Sequence, residues 1–211
     1  MLASELLVRC LEEEGIEIIF GLPGEENADF MMALEKSEKI RFVLTRHEQG
    51  AAFMAEAYGR LTGNPAGCLS TLGPGATNLI TGVADANMDR APMIVLTGQG
   101  STDRLHKESH QIMDTVSMFK PVTKWATSIY NPDTIPEIVR KAVRISRSEK
   151  PGAVLIELPE DIARETTSSE PITPRRYRRS VPDEEIIEEA SRLIMQSERP
   201  LIIAGNGCIR K

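Results

Sequence analysis

Short and almost uninterrupted apolar runs alternate with longer stretches of helical periodicity through the first 160 residues of the chain. The runs do not alternate apolar with polar residues, so both faces of each predicted strand are expected to be buried. A parallel sheet flanked by helices on both faces satisfies this pattern. We therefore predict an α/β fold with strands over residues 16–20, 41–45, 67–72, 92–97, 122–129 and 153–158.

Helical patterns separate the predicted strands. Ser4 precedes the first of them and is expected to cap it, since serine is a favoured residue at that position. The predicted helices cover residues 4–14, 27–36, 48–62, 76–89, 111–119 and 133–148.

The composition changes after about residue 160, where Thr, Ser, Pro and Arg become frequent, as in linkers. One further helix (183–196) and one strand (201–204) are predicted beyond it. We therefore expect a first domain over residues 1–165, a linker over 166–182 and the truncated start of a second α/β domain over 183–211. A length of 211 residues fits one domain and part of another.

Charge and composition exclude several classes of protein. Hydrophobic residues make up 41% of the chain, enough for a core, which excludes intrinsic disorder. The net charge of −6 argues against nucleic-acid binding, and the basic cluster at 175–179 is interpreted as linker. No apolar run approaches the roughly 20 residues of a membrane span, and no secretory leader is recognisable. The three cysteines are far apart and expected to be reduced, so a cytoplasmic protein is predicted.

Three glycine turns resemble nucleotide-binding loops, at residues 73–78, 98–103 and 205–210. Each lacks the third glycine of the dinucleotide fingerprint, and none is followed by a Walker lysine. Pro74 also removes an amide donor from the first turn. A phosphate site is therefore poorly supported. The bare Gly73-Pro74-Gly75 turn instead suits the approach of a flat ligand, and Asn78 offers it a donor and an acceptor.

A polar segment, residues 46–49, separates a predicted strand from an Ala-rich helix. By residue type alone, Glu48 is a first-turn glutamate that complements the helix dipole. The small residues of the helix predict that it is buried and Glu48 with it. Burial favours the protonated carboxyl whereas the dipole favours the ionised one, so a proton relay is the alternative role. His47 and His110 are acid–base candidates by type, although a structural role is commoner for a lone histidine.

Six motifs follow one another along the chain: FGLPG at 20–24, RHEQGAA at 46–52, MAEAYGR at 54–60, GPGATN at 73–78, ADA at 84–86 and TGQ at 97–99. In this order they resemble the pyrimidine-binding domain of thiamine-diphosphate enzymes of the acetolactate synthase group. The resemblance covers about residues 1–165, and residues 183–211 resemble the start of the family's central domain. It implies the fold predicted above.

The resemblance also implies roles for individual residues. Glu48 matches the glutamate that hydrogen-bonds N1′ of the aminopyrimidine and promotes the imino tautomer, which then takes the proton from C2 of the thiazolium. Gln111 matches an active-site glutamine, so Glu48 and Gln111 are the expected catalytic residues. No metal ligand is expected in this chain. The expected cofactor-binding residues are Glu48 together with Pro23, Gly24, Thr71, Pro74, Gly75 and Asn78.

The activity implied is decarboxylation of pyruvate on thiamine diphosphate, followed by ligation of the two-carbon unit to a second 2-oxo acid to give 2-acetolactate. Such a reaction serves branched-chain amino acid or acetoin formation. Residues 102–114 look more like the catabolic enzymes, or like an uncharacterised branch of the family, than like the biosynthetic ones. Pyruvate oxidase, glyoxylate carboligase and 2-oxo acid decarboxylase remain alternatives, as does a non-catalytic nucleotide-binding module.

The resemblance further implies Mg²⁺, held by residues of a C-terminal domain that this chain does not contain. FAD is left open, because Lys150 stands where the flavin-binding members have arginine. A homodimer or tetramer is expected, with a regulatory subunit left open and neither nucleic acid nor membrane as a partner. Since the family's active site also needs the diphosphate-binding domain, the 211-residue chain alone is expected to be inactive.

Overall fold

The computed structural model describes residues 1–174 and 181–208. The chain divides into two compact units, Met1–Pro174 and Arg175–Lys211. The basic cluster at 175–179 and the end of the third glycine turn lie outside the described residues. The predicted domain boundaries at residues 165 and 182 stay predictions.

The first unit is built on one six-stranded sheet in which every neighbouring pair is parallel. The strand order is β2-β1-β3-β4-β6-β5. Each strand overlaps a predicted one, and the predicted α/β fold is confirmed. The strands are β1 (Ile18–Gly21), β2 (Arg41–Leu44), β3 (Ala66–Ser70), β4 (Met93–Gln99), β5 (Trp125–Ser128) and β6 (Ala153–Pro159).

Helices cover both faces of the sheet. Seven belong to the first unit: α1 (Ala3–Glu13), α2 (Ala28–Glu35), α3 (Glu48–Thr62), α4 (Pro74–Met88), α5 (Thr115–Phe119), α6 (Ile135–Arg147) and α7 (Glu160–Arg164). Two separate hydrophobic clusters fill the space between helices and sheet. One gathers side chains of α1, α2, α6 and α7, and the other those of α3, α4 and α5.

One predicted helix begins well after its expected start, and one short helix was not predicted. The helix predicted from residue 111 begins only at Thr115, because Asp114 caps it by accepting a hydrogen bond from the Ser117 amide at 2.9 Å. Helix α7 lies at the edge of the segment that composition assigns to a linker. It has only five residues, too few for helical periodicity to show in the sequence.

Ser4 does not cap α1, contrary to expectation. Leu2 takes the cap position, and its amide donates to Glu5 Oε2 at 3.1 Å. The helix begins early because the chain before it pairs with a distant segment: Leu2 bridges Thr166, and the Ala3 amide donates to the Glu165 carbonyl at 2.8 Å. Ser4 is therefore buried inside the first turn.

Helices α3 and α4 lie in close contact. A Cβ added at Gly82 of α4 would lie 2.7 Å from Ala52 Cβ and 3.0 Å from the Phe53 amide nitrogen of α3. Ala51, Ala52 and Ala55 are fully buried, as the small residues of this helix predict. The small side chains of α3 therefore allow α3 and α4 to pack closely.

The second unit contains one described helix, α8 (Glu184–Gln196), which Asp183 caps by accepting from the Glu185 amide at 2.9 Å. The strand predicted over residues 201–204 is wrong: no strand occurs within residues 181–208. Leu201, Ile202 and Ile203 are exposed, because this segment has no neighbouring strand to pair with in the described chain. Across residues 1–174 and 181–208, no helix is long and apolar enough to span a membrane.

Candidate active site

The carboxyl ends of β1, β2 and β3 bring the predicted site residues to one edge of the sheet. Residues that follow neighbouring parallel strands emerge at the same edge, where α/β proteins bind their ligands. Pro23 and Gly24 follow β1, Glu48 follows β2, and the turn from Thr71 to Gly75 follows β3. These strands are adjacent in the order β2-β1-β3.

Glu48 is the first residue of α3 and is buried, with 7% of its surface exposed. The burial predicted from the Ala-rich helix is therefore confirmed. His47 occupies the cap position, where its Nδ1 accepts a hydrogen bond from the Gln49 amide at 3.2 Å. This histidine thus has a structural partner. The cap fixes where α3 begins and so where the Glu48 side chain leaves the backbone.

Asn78 and Gly75 surround the Glu48 carboxylate. Asn78 Nδ2 donates to Glu48 Oε2 at 3.0 Å. A Cβ added at Gly75 would lie 3.3 Å from Glu48 Oε1 and 3.0 Å from Thr71 Cγ2, closer than nearly all real side-chain contacts. One oxygen of the carboxylate is therefore oriented by an amide, and the other lies beside a stretch of backbone that carries no side chain.

The turn that begins α4 is built around Gly73. This residue has φ +52°, in the region that favours glycine, and it precedes Pro74 at the first helical position. Pro74 is exposed, whereas Gly75 is buried. Proline has no backbone N–H, but at the first position of a helix that group would have no partner within the helix. Pro74 therefore makes the turn rigid without loss of a helical hydrogen bond. Asn78 follows within the next turn of the helix.

Gly24 lies against Thr71. A Cβ added at Gly24 would lie only 2.5 Å from Thr71 Cβ, so no larger residue fits here without movement. The loop is held on both sides: the Gly24 amide donates to Asn27 Oδ1 at 3.0 Å, and Thr71 Oγ1 donates to Glu26 Oε2 at 2.6 Å. Pro23 is exposed at the rim. Glu26 is a functional-site neighbour that sequence reasoning missed, since only the fold places it opposite Thr71.

Gln111 reaches the site through its backbone. A Cβ added at Gly73 would lie 2.2 Å from the Gln111 carbonyl oxygen, so the two main chains are in contact. The Gln111 side chain is exposed, as is that of His110. The structure therefore brings Glu48, Gly75 and Asn78 directly together, with Gly24 and Thr71 adjoining, and places Gln111 at the edge of the glycine turn.

The sequence model for the family described as thiamine pyrophosphate enzyme, N-terminal TPP-binding domain, matches residues 1–118, more than half of the chain. The chain belongs to the thiamine pyrophosphate enzyme family. All residues discussed above as candidates for this site lie within the matched region.

Curated relatives of this family member are named acetolactate synthases. Acetolactate synthase 2, chloroplastic, of Nicotiana tabacum is 38% identical over 211 residues, which cover 97% of this chain and 32% of the relative. The probable acetolactate synthase large subunit of Methanocaldococcus jannaschii is 41% identical, over 99% of this chain and 36% of the relative. The isozyme 1 large subunit of Escherichia coli K12 is 36% identical, over 98% and 37%. The chain thus spans about a third of the length of the relatives it matches.

A second polar pair lies at the same edge of the sheet in this thiamine pyrophosphate enzyme domain, and sequence reasoning gave it no role. Gln99 ends β4 and Glu157 lies near the end of β6, with 2% and 4% of their surfaces exposed. Gln99 Nε2 donates to Glu157 Oε2 at 3.0 Å. Burial raises the pKa of Glu157, and its polar neighbours Ser128, Thr115 and Gln99 oppose this. The available signal was a glutamate inside an otherwise apolar strand.

An acidic cluster lies away from the site on α3 and α4. Carboxylate oxygens of Glu56, Asp85 and Asp89 lie within 4.8 Å of one another. Sequence spacing gave no sign of this, because the residues come from two helices. Arg60 pairs with Asp89 at 2.6 Å and with Glu56 at 3.5 Å, so a guanidinium already balances charge in the cluster.

Proposed function

We propose that this chain is the pyrimidine-binding part of an acetolactate synthase. The complete protein would decarboxylate pyruvate on thiamine diphosphate and ligate the two-carbon unit to a second 2-oxo acid, giving 2-acetolactate. The names of the relatives and the six ordered motifs support this proposal. The structural observation that carries it is the buried Glu48 carboxylate beside the bare Gly75 backbone.

The residues present suit the aminopyrimidine ring of thiamine diphosphate. A flat heterocycle needs a surface without side chains, and a Cβ at residue 75 would crowd both Glu48 and Thr71. The ring's nitrogens and amino group need a carboxyl group and an amide within reach, and Glu48 and Asn78 supply both. When bound, thiamine diphosphate supplies the electron sink for decarboxylation of a 2-oxo acid.

In this proposal Glu48 holds and moves a proton. Asn78 binds Oε2 and so leaves Oε1 on the Gly75 side, where N1′ of the ring would lie. Burial keeps water from competing for the carboxyl group, which makes its hydrogen bond to a ring nitrogen stronger than the same bond in solvent. Gly24 and Thr71 form the neighbouring wall. Pro23 and Gln111 are exposed at the rim, and the family resemblance would put them near the reacting carbon.

Replacing Glu48 by glutamine in the complete protein tests the proposal. Glu48→Gln keeps the size and the polar contact of the side chain but removes its exchangeable carboxyl proton. We expect formation of 2-acetolactate from pyruvate to fall by a factor of about 10² to 10⁴, the usual contribution of general acid–base catalysis. Glu35→Gln, at the exposed end of α2, is the matched control and should leave the rate unchanged.

The outcomes of this experiment separate the candidate functions. Unchanged turnover in a folded Glu48→Gln protein would remove the proton-transfer role. A wild-type protein that releases a free aldehyde from pyruvate, and no 2-acetolactate, would be a decarboxylase of the same family. Circular dichroism of both variants confirms that loss of activity is not loss of fold.

The proposal extends to a cytoplasmic location, which the free cysteines Cys10, Cys68 and Cys208 favour, and to the remaining cofactors. The family resemblance favours Mg²⁺, bound by residues that this chain does not contain. FAD is not included in the proposal, because Lys150 replaces the arginine expected of flavin-binding members. A regulatory subunit is compatible with the large-subunit names of the relatives, which are names of those proteins.

Self-association through α3 completes the proposal. Phe53, Met54 and Leu61 are 39%, 48% and 86% exposed, and Ala57 lies between them on the same helical face. Three large apolar side chains at helical spacing form a stripe of the kind that oligomers bury. A homodimer or tetramer of the complete protein, with this face in the interface, accounts for the stripe.

A further inference from the structure

The segment that carries Gln111 is attached to helix α7 at its start and to the sheet near its end. It runs from Ser101 to Asp114, between β4 and α5, and will be called the Gln111 loop. At its start, the amides of Ser101 and Thr102 donate to Glu160 Oε1 at 3.3 Å and Asp161 Oδ1 at 3.0 Å. The attachment of its other end depends on the buried Gln99–Glu157 pair.

Gln99 forms three hydrogen bonds with its side-chain amide. Its Nε2 donates to the Met113 carbonyl at 2.9 Å and to Glu157 Oε2 at 3.0 Å, and its Oε1 accepts from the Gly100 amide at 3.0 Å. Each donor and acceptor of the amide therefore has a partner, and only one orientation of the side chain satisfies all three. Met113 lies two residues after Gln111.

Glu157 fixes the orientation of the Gln99 side-chain amide by accepting one of its hydrogen bonds. In β6 it is in register with Thr97 of β4, so the Gln99–Glu157 bond crosses between two central strands. Both strands are buried along their whole length, so neither residue can shift without disturbing the core. A rigid pair of strands thus carries a hydrogen bond that ends on the Gln111 loop.

The conformation of the Gln111 loop needs such support. His106, Glu108 and Gln111 all have positive φ, of 66°, 46° and 53°. Such conformations are unfavourable for residues other than glycine and persist only where the surroundings enforce them. Contact of the Gln111 carbonyl with Gly73 then joins the loop to the turn beside Glu48.

We propose that Gln99 and Glu157 are positioning residues, which hold the Gln111 loop against the glycine turn of the active site by way of the Met113 carbonyl. The role of the loop in turnover rests on the proposed function, whereas its attachment rests on the hydrogen bonds alone. Neither residue is expected to touch substrate or cofactor.

Amide hydrogen exchange in the complete protein tests the attachment without any assay of activity. Gln99→Met conserves volume and removes all three hydrogen bonds. We expect peptides covering residues 105–113 to exchange at least tenfold faster, while peptides from β4 and β6 stay protected. Gln99→Asn, which stays polar but is one methylene shorter, should give a smaller effect in the same peptides and serves if Gln99→Met does not fold.

Two variants of Glu157 and one control variant complete the design. Glu157→Gln keeps an oxygen acceptor for Gln99, so amide exchange in the Gln111 loop should stay within about twofold of wild type. Glu157→Leu removes the acceptor and should resemble Gln99→Met. Lys107→Ala, an exposed change in the same loop, is the matched control. Unchanged exchange in folded Gln99→Met and Glu157→Leu proteins would overturn the proposal.

Kinetics with pyruvate then link the loop to catalysis. We expect Gln99→Met to lower kcat severalfold more than it changes KM for the first pyruvate, because a displaced loop affects the reacting complex. If the wild-type protein makes no 2-acetolactate but the Gln111 loop of Gln99→Met still exchanges faster, the proposed function is refuted and the attachment of the loop is not. Normal kcat with a loosened loop would refute the positioning role.

Discussion

Single residues of the site differ in how far the sequence predicts them. Glu48 is predictable in both position and burial, because the strand before it and the Ala-rich helix after it are continuous patterns. The pairing of Thr71 with Glu26, and of Gln99 with Glu157, joins residues 45 and 58 positions apart. Such contacts depend on strand order and register, which no local pattern contains.

The titration of Glu157 gives a prediction at this scale. Burial raises its pKa in the folded protein above the ordinary value of 4.5. As the pH rises past that value, the unfolded chain loses the proton while the folded chain keeps it, so the unfolded state binds fewer protons. The contribution of Glu157 to stability therefore falls with increasing pH, until the folded carboxyl also ionises.

Glu157→Gln removes the titrating group and should show this effect. We expect the urea midpoint of the variant to rise relative to that of wild type as the pH increases from about 4.5, until the folded Glu157 carboxyl also ionises. Glu137→Gln, on the exposed face of α6, is the control and should differ from wild type by a constant amount. A difference independent of pH for Glu157→Gln would contradict the expected direction.

Among the elements, α3 is predicted with both bounds correct because its ends carry strong signals. His47 caps its start, and Gly63 ends it with φ +73°. The Gln111 loop is the opposite case, and its expected helix begins four residues late. Its conformation is set by Glu160 and Asp161, about 59 positions away, so local propensity contains little of it.

Substitutions of two glycines in α3 and α4 should change stability in opposite directions, because only one of these glycines lies at the contact between the helices. Gly82→Ala places a methyl group 2.7 Å from Ala52 Cβ and should lower the free energy of unfolding by about 1–3 kcal/mol through overpacking. Gly50→Ala, in α3, meets no neighbouring atom within 4 Å among the described residues and should raise the free energy of unfolding by about 0.5–1 kcal/mol. Urea denaturation of the two variants measures both signs, and a neutral Gly82→Ala would argue against close packing.

At the scale of the whole molecule, the sequence predicts the sheet well and the second unit less well. Six apolar runs predict six strands because a covered parallel sheet requires such runs. In the second unit the same reasoning predicts a strand over residues 201–204 that is not present in the described chain. An apolar run indicates a strand only where a partner strand is available.

Assembly supplies the prediction at this scale. Met54→Asp together with Leu61→Asp places two like charges on the apolar stripe of α3 without touching Glu48 or its neighbours. We expect the complete protein carrying both changes to sediment as a smaller species than wild type, since burying unpaired charges opposes association. The control is Lys141→Ala on α6, an exposed residue on another helix. An unchanged sedimentation coefficient for the double variant would place the interface elsewhere.

The early start of α1 has a consequence for how this unit can be handled. Leu2 bridges Thr166, and the Met1 amino group donates to the Thr167 carbonyl at 3.0 Å, so the first residues of the unit lie against a segment close to its end at Pro174. A domain whose ends lie close together can be inserted into another polypeptide through short linkers. It also permits circular permutation, in which a short linker joins residue 174 to residue 1 and the chain is opened at a surface loop. The order of elements along the gene would change while the carboxyl edge with Glu48 stayed intact.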